Sequence, residues 1–227
     1  IELMTNGISS TYNSFKDKVQ FVLCGFDLRG TVTEIEMETG KKTNRPIKPL
    51  ETVWYKYENI FTDNFNVLSL PYKSYLGSFT DGTFNDENEP YRRRWTMEVS
   101  KYATNYNTFD VSLAPLVESV FNANKSQLKV IEAGFHKKAL IASETDPYTL
   151  DLISAIDNGN LNSKGNALLV NPKRNHKDWT KHMKRLIENP ALVEDLGNRL
   201  YETVKDTYSL KKVCNDRVQF LKSIVNK

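Results

Sequence analysis

The stretch Phe109–Ser143, FDVSLAPLVESVFNANKSQLKVIEAGFHKKALIAS, decides the fold. It opens with a short apolar strand, Val111–Leu116, that Pro115 ends, because proline has no N–H to give to a ladder. A polar loop from Glu118 to Lys125 follows. A helix starting near Lys125 and Ser126 then carries Leu128, Ile131 and Phe135 on one face, at spacings of three and four. Ala139–Ala142 is a second apolar run. Strand, loop, helix and strand make a βαβ crossover, which is right-handed in nearly all cases. Such a unit brings the loop and the helix N-terminus to the carboxyl edge of a parallel sheet, where open α/β sheets take their ligands. The first N–H groups of a helix lack partners and carry the positive end of its dipole, which suits a phosphate or another anion. A ligand is expected there.

At 227 residues the chain is long enough for a substantial core, and 39% hydrophobic with 26% charged residues is ordinary for a globular protein. The net charge of +3 is too small an excess to argue for nucleic acid. No apolar run approaches the roughly 18 residues of a membrane-spanning helix, and no signal-peptide pattern is present. Cys24 in an apolar strand and Cys214 in a helix read as buried thiols in a reducing compartment. The chain begins at Ile1 rather than Met, as expected of a piece of something longer.

Outward from the central unit, residues 2–16 read as a helix with Ile8, Tyr12 and Phe15 on one face, and Val19–Cys24 as a strand with Gly25-Phe26-Asp27 turning at its carboxyl end. Residues 29–50 are a polar surface excursion with a hairpin around Thr39 and Gly40. Trp54 to Phe65 is rich in aromatics, read either as core packing or as a stacking surface for a base or sugar ring. Val67–Leu70 is a weak strand, and 77–90 a turn-rich acidic loop. Tyr91–Tyr106 reads as a helix with Trp95, Val99, Tyr102 and Tyr106 at helical spacing; Arg92, Arg93 and Arg94 in its first turn are either a solvated face or an anion site. Beyond the central unit come the loop Thr145–Tyr148, a polar turn region at 157–165 and a last strand, Asn166–Val170. Three helices close the chain. The first carries Trp179, Met183, Leu186 and Ile187; the second Leu192, Leu196, Leu200 and Val204. The last, at 209–227, has a Ser209 cap and carries Leu210, Cys214, Val218, Leu221 and Val225. Alternating strands and helices predict an α/β fold, a Rossmann-like open parallel sheet with helices on both faces, as one domain over 1–227.

The three histidines form no ligand set: His176 and His182 are six apart, and Glu132 with His136, one helical turn apart, is either a metal pair or an exposed ion pair. No metal is expected, and no Gly-rich phosphate loop is present. Ser126 and Lys129 form a Ser-x-x-Lys, but the Ser-x-Asn and Lys-Thr-Gly elements of a Ser-Lys hydrolase are missing. What remains is a helix start with Lys125, Ser126 and Lys129 in its first turn and Glu132 one turn later. A cation, a hydroxyl and free N–H groups suit a diphosphate, and a carboxylate further in suits a ribose diol. A Lys–Glu surface pair worth a few tenths of a kcal/mol fits the spacing as well.

DVSLAPL, FNANKSQLKVIEAG, ALIAS and DPY together resemble the donor-binding, C-terminal half of GT-B glycosyltransferases of the large group 1 retaining family. Ile131-Glu132-Ala133 matches the family's Leu-Glu-Ala helix and Leu140-Ile141-Ala142-Ser143 its Val-Ile-Ala strand; Trp179, Asn189-Pro190 and Tyr208 match the C-terminal helices. The resemblance covers roughly residues 17–227 and is most specific over 109–148. Two features depart from it. Asn124 stands eight residues before Glu132 where the family has its first glutamate, and Asn124-Lys125-Ser126-Gln127 replaces the Glu-Gly-Phe-Gly loop.

The resemblance implies a nucleotide-diphospho-sugar as substrate, with no cofactor. It implies the diphosphate on Lys125, Ser126 and Lys129, the ribose on Glu132, and Gly25, Asn124 and Tyr148 near the sugar or base. It also implies a separate N-terminal acceptor domain, a glycan or glycolipid acceptor, no nucleic-acid partner, and a place in the cytoplasm or at the inner membrane face. A non-catalytic nucleotide-binding or scaffold module with the same sheet is the alternative expectation.

Overall fold

The structure, a computed structural model, describes residues 2–27, 30–48, 51–53, 57 and 91–225. The aromatic run from Trp54 to Phe65 lies, Tyr57 apart, outside the described residues, as do the strand expected at 67–70 and the acidic loop 77–90. The chain divides into two compact units, one holding Ser9–Asn105 and the other Glu2–Ile8 with Tyr106–Lys227.

In the first unit, strand β1 (Phe21–Phe26) pairs in parallel with β4 (Tyr91–Trp95), Phe21 opposite Tyr91 and Cys24 opposite Arg94. The register shifts between Cys24 and Phe26, and Gly25 at φ +94° supplies the left-handed backbone for that bulge. Gly25 is therefore inside the strand rather than in a turn after it. Strands β2 (Thr31–Ile35) and β3 (Lys42–Pro46) form the expected antiparallel hairpin, with Gly40 at φ +67° in its turn. Arg45 ties the hairpin to Glu34 at 2.6 Å and Glu51 at 2.8 Å.

The helix expected over Tyr91–Tyr106 does not form. Its first five residues are β4, and only Val99–Thr108 is helical, as a 3-10 helix. Pairing with β1 overrides the apparent helical spacing, and Val99, the supposed core position, is 95% exposed. The three arginines thus sit on a strand, not at a helix start.

The second unit is built on a parallel sheet of order β5-β6-β9, comprising Val111–Ala114, Ala139–Ser143 and Leu168–Val170. Every residue of β6 is buried, as a central strand flanked by helices requires. The crossover from β5 to β6 holds α2 (Val120–Ala123, capped by Ser119) and α3 (Leu128–Phe135). The polar loop expected from Glu118 to Lys125 therefore contains a helical turn. The connection from β6 to β9 holds a 3-10 turn, Tyr148–Leu150, and a small hairpin of β7 (Ile156–Asp157) and β8 (Asn160–Leu161).

Helices α4 (Asn175–Glu188) and α5 (Pro190–Val204) complete the core with Trp179, Met183, Leu186, Leu192, Leu196, Leu200 and Val204, all buried. Helix α1 (Thr5–Phe15) begins with the 3-10 turn Glu2–Met4, and Ile8 on it is 1% exposed. On α5, Arg199 reaches Asp195 and the carbonyls of Asn162 (3.1 Å), Ser163 (2.9 Å) and Gly165 (3.2 Å), holding the segment after β8.

Close backbone approach sets the packing of α3. A Cβ on Gly134 would fall 2.6 Å from Val204 Cγ2, and one on Gly197 would fall 2.1 Å from the carbonyl oxygen of Lys137. Small residues let α5 seat directly on α3 and on the turn into β6, so the buried face of α3 is Val130, Ala133 and Gly134. Leu128 and Phe135, expected inside, are 51% and 39% exposed. The last helix, α6 (Leu210–Val225), has the expected Ser209 cap on Lys212 N at 3.3 Å, but none of its residues is buried. Its apolar stripe and Cys214 are exposed and Cys24 is half-buried, so neither thiol is the buried one expected.

Two predictions follow from the packing. Gly197→Ala forces a methyl into the Lys137 carbonyl and lowers stability by about 1–3 kcal/mol or more, read as a drop in Tm by circular dichroism. His182 on α4 is buried, its Nε2 donating to the Leu169 carbonyl at 2.8 Å, and burial pushes its pKa below the usual imidazole value of 6.5. The unfolded chain binds that proton more readily, so stability is full above pH 6.5 and falls below it, by at most about 1.4 kcal/mol per pH unit. Urea unfolding from pH 7 to pH 5 shows this slope, and His182→Gln flattens it.

Candidate functional site

The crossover helix α3 gathers one cluster of polar side chains in the second unit. Glu132 Oε2 accepts from Tyr106 Oη at 2.7 Å and from Lys129 Nζ at 2.9 Å. Lys129 and Glu132 are three apart on one helix face, which makes this pair local. Tyr106 arrives from the 3-10 helix ahead of β5. It is 4% exposed, its ring stacks on His136 at 4.7 Å with 9° between planes, and Phe109 lies tilted against it at 5.2 Å. The neighbour one turn from Glu132 is thus packed on an aromatic ring, and among the described residues no group of three or more His, Cys, Asp or Glu is placed to hold a metal ion.

Tyr148 comes from beyond the carboxyl end of β6, after the cis Asp146–Pro147 bond, and is 6% exposed. Burial pushes its phenol pKa up; the Lys129 charge works against this and the Glu132 charge with it. Of the residues singled out from sequence, Lys129 and Glu132 are brought together, as an ion pair at 2.9 Å.

The others fare differently. Lys125 is exposed and holds its ammonium 4.7 Å from the centre of the Phe121 ring. Ser126 is exposed ahead of α3. Asn124 is exposed and turned back, its Nδ2 donating to the Val120 carbonyl at 2.8 Å at the end of α2. Gly25 belongs to the first unit.

At the start of α3, Gln127 occupies the capping position, but its side chain makes no cap bond to the helix. Its Nε2 donates instead to Tyr208 Oη at 2.6 Å and to Asp151 Oδ2 at 3.1 Å, and Tyr208 Oη donates to the same Asp151 oxygen at 2.7 Å. The Val130 and Ile131 amides bond the Gln127 carbonyl, at 2.9 and 3.2 Å. At the same edge, Ser143 Oγ accepts from Leu116 N at 2.9 Å, fixing the chain that leaves β5.

Sequence reasoning singled out Lys129 and Glu132 as sharing a helix face, but not Tyr106 as a partner of Glu132, nor the contacts of Gln127 and Asp151. Tyr106 was legible only as an aromatic at helical spacing. A hydroxyl 26 residues from its acceptor leaves no periodic signal.

No family model matches this sequence, and no curated protein matches it. Among solved structures, the chain is similar to the crystal structure of TarM, with 15% identity and a TM-score of 0.54 over 96% of this chain. The likeness is one of fold. It establishes the α/β architecture, a parallel Rossmann-like sheet flanked by helices. The chain spans about a third of TarM, 32% of that chain.

Tyr106→Phe removes the hydroxyl bond to Glu132 Oε2 while keeping the ring stack. It is expected to lower stability by about 1 kcal/mol, because Lys129 still pairs with the carboxylate. Chemical denaturation of the two proteins side by side measures it.

Proposed function

We propose that this chain is the donor-binding part of a glycosyltransferase, holding a nucleotide-diphospho-sugar for transfer to a glycan or glycolipid of surface polysaccharide synthesis. The observation that carries the reading is the Lys129–Glu132 pair, joined by the Tyr106 hydroxyl, on the crossover helix of a parallel sheet. That fold is shared with TarM, a glycosyltransferase, and the resemblance of Ile131-Glu132-Ala133 to the group 1 retaining pattern points the same way.

In this reading the protein contributes positioning and charge rather than covalent chemistry. Lys129, with Lys125 and Ser126 ahead of it, faces the diphosphate, where cations and helix amides offset the charge that builds on the leaving group. Glu132 exchanges its internal bonds for the two ribose hydroxyls. Tyr148 closes the site beside them, with Asn124 toward the sugar. No metal is required. The acceptor belongs to a further, N-terminal domain, and transfer awaits closure of the two around the donor. Among the described residues no helix is long and apolar enough to cross a membrane, and we place the reaction at the cytoplasmic side of one.

A non-catalytic nucleotide-binding module is the second reading, favoured by Asn124, which stands where the family has a glutamate and spends its amide on Val120.

Thermal-shift titration with UDP, GDP, ADP and CMP tests the donor site. Ligand at about 100 times its Kd stabilises the chain by roughly 2.7 kcal/mol. Glu132→Ala is expected to weaken nucleoside diphosphate binding about tenfold or more, since it removes a charged acceptor for two hydroxyls. An unchanged affinity sinks the assignment of Glu132.

A further inference from the structure

We infer that Tyr208 and Asp151 are positioning residues for the candidate site, acting through Gln127 on the start of α3; this rests on the donor-binding reading above. The three side chains close a triangle, since Tyr208 and Gln127 both donate to Asp151 Oδ2, at 2.7 and 3.1 Å, and Gln127 also donates to Tyr208 Oη at 2.6 Å. They come from three separate places in the chain. Gln127 is the residue before α3, Asp151 ends the 3-10 turn that begins at Tyr148, and Tyr208 lies between α5 and α6.

Each corner is fixed by something else. The Gln127 carbonyl accepts the Val130 amide at 2.9 Å and the Ile131 amide at 3.2 Å, so moving Gln127 moves the first turn of α3. The Asp151 amide and the next one, on Leu152, bond back to the Tyr148 carbonyl, at 3.3 and 3.1 Å. The Asp151 carbonyl accepts from Asn166 Nδ2 at 2.9 Å, and Asn166 in turn donates to Thr203 Oγ1 on α5 at 2.9 Å. The Tyr208 amide donates to the Val204 carbonyl at 2.9 Å, at the end of the helix on which α3 is seated.

The triangle therefore joins the two segments that carry Lys129, Glu132 and Tyr148 to the rigid end of α5. The direction of the bonds gives the mechanism. Both donors of the Gln127 amide are spent within the triangle, which holds this side chain away from the amides that open α3. Tyr208 lies outside the crossover, between α5 and α6, and its phenol is the group whose removal opens the triangle with least change of shape.

Tyr208→Phe tests the inference, with isothermal titration of UDP, GDP and ADP and of the matching nucleosides, and hydrogen exchange at the Val130 and Ile131 amides. The expected result is a Kd for the preferred nucleoside diphosphate raised about tenfold, a Kd for the bare nucleoside changed much less, and faster exchange at these two amides than in the helix α5. Asp151→Asn, which keeps the shape and one acceptor, is expected to fall between the two proteins. Equal loss for nucleoside and diphosphate marks a general loss of structure and overturns the inference, as does an unchanged diphosphate affinity in Tyr208→Phe. A wild-type chain that binds none of the nucleotides overturns the donor reading and this inference with it. Wild-type binding with an indifferent Tyr208→Phe overturns this inference alone.

Discussion

The seating of α5 on the crossover is the constraint on which the second unit depends. A side chain at position 197 would occupy the space of the Lys137 carbonyl, and one at 134 that of Val204, so two glycines set how near these segments come. Nearness there decides which face of α3 goes inward. Because Val130, Ala133 and Gly134 are turned to the core, Lys129 and Glu132 are turned along the side, where Tyr106 meets them. The chemistry of the site is thus a consequence of helix packing before it is a matter of charge.

The sheet was largely legible in the sequence. Val111–Ala114, Ala139–Ser143 and Leu168–Val170 are short apolar runs set off by proline or by polar turns, and strands buried on both faces look like that. The helices α4 and α5 were equally clear, since their apolar residues recur at helical spacing and are buried. What failed did so for physical reasons. On α3 the larger apolar residues mark the wrong face, because the contact is made by small ones. Over Tyr91–Tyr106 a helical spacing competes with a strand partner 70 residues earlier, and no local pattern reports such a partner. In α6 the apolar periodicity is real, yet the described residues bury none of it.

Of the candidate site, the charged pair on α3 could be read because residues three apart share a helix face whatever the rest of the chain does. Its aromatic surroundings could not. Tyr106 reaches Glu132 from 26 residues earlier in the sequence, and Tyr208 is 81 residues from Gln127. Such contacts exist only once the sheet has set the distances.

Arg199 carries a different kind of information. Its guanidinium spans a carboxylate on its own helix and three main-chain carbonyls of the segment after β8, using the planar fork on both sides at once. A lysine would preserve the charge but present a single ammonium on a free stem, unable to meet both sets of oxygens in one geometry. The exchange that looks mildest on paper is therefore a drastic one here. Position 199 is one where related chains can be expected to keep the shape of the cation and not merely its sign.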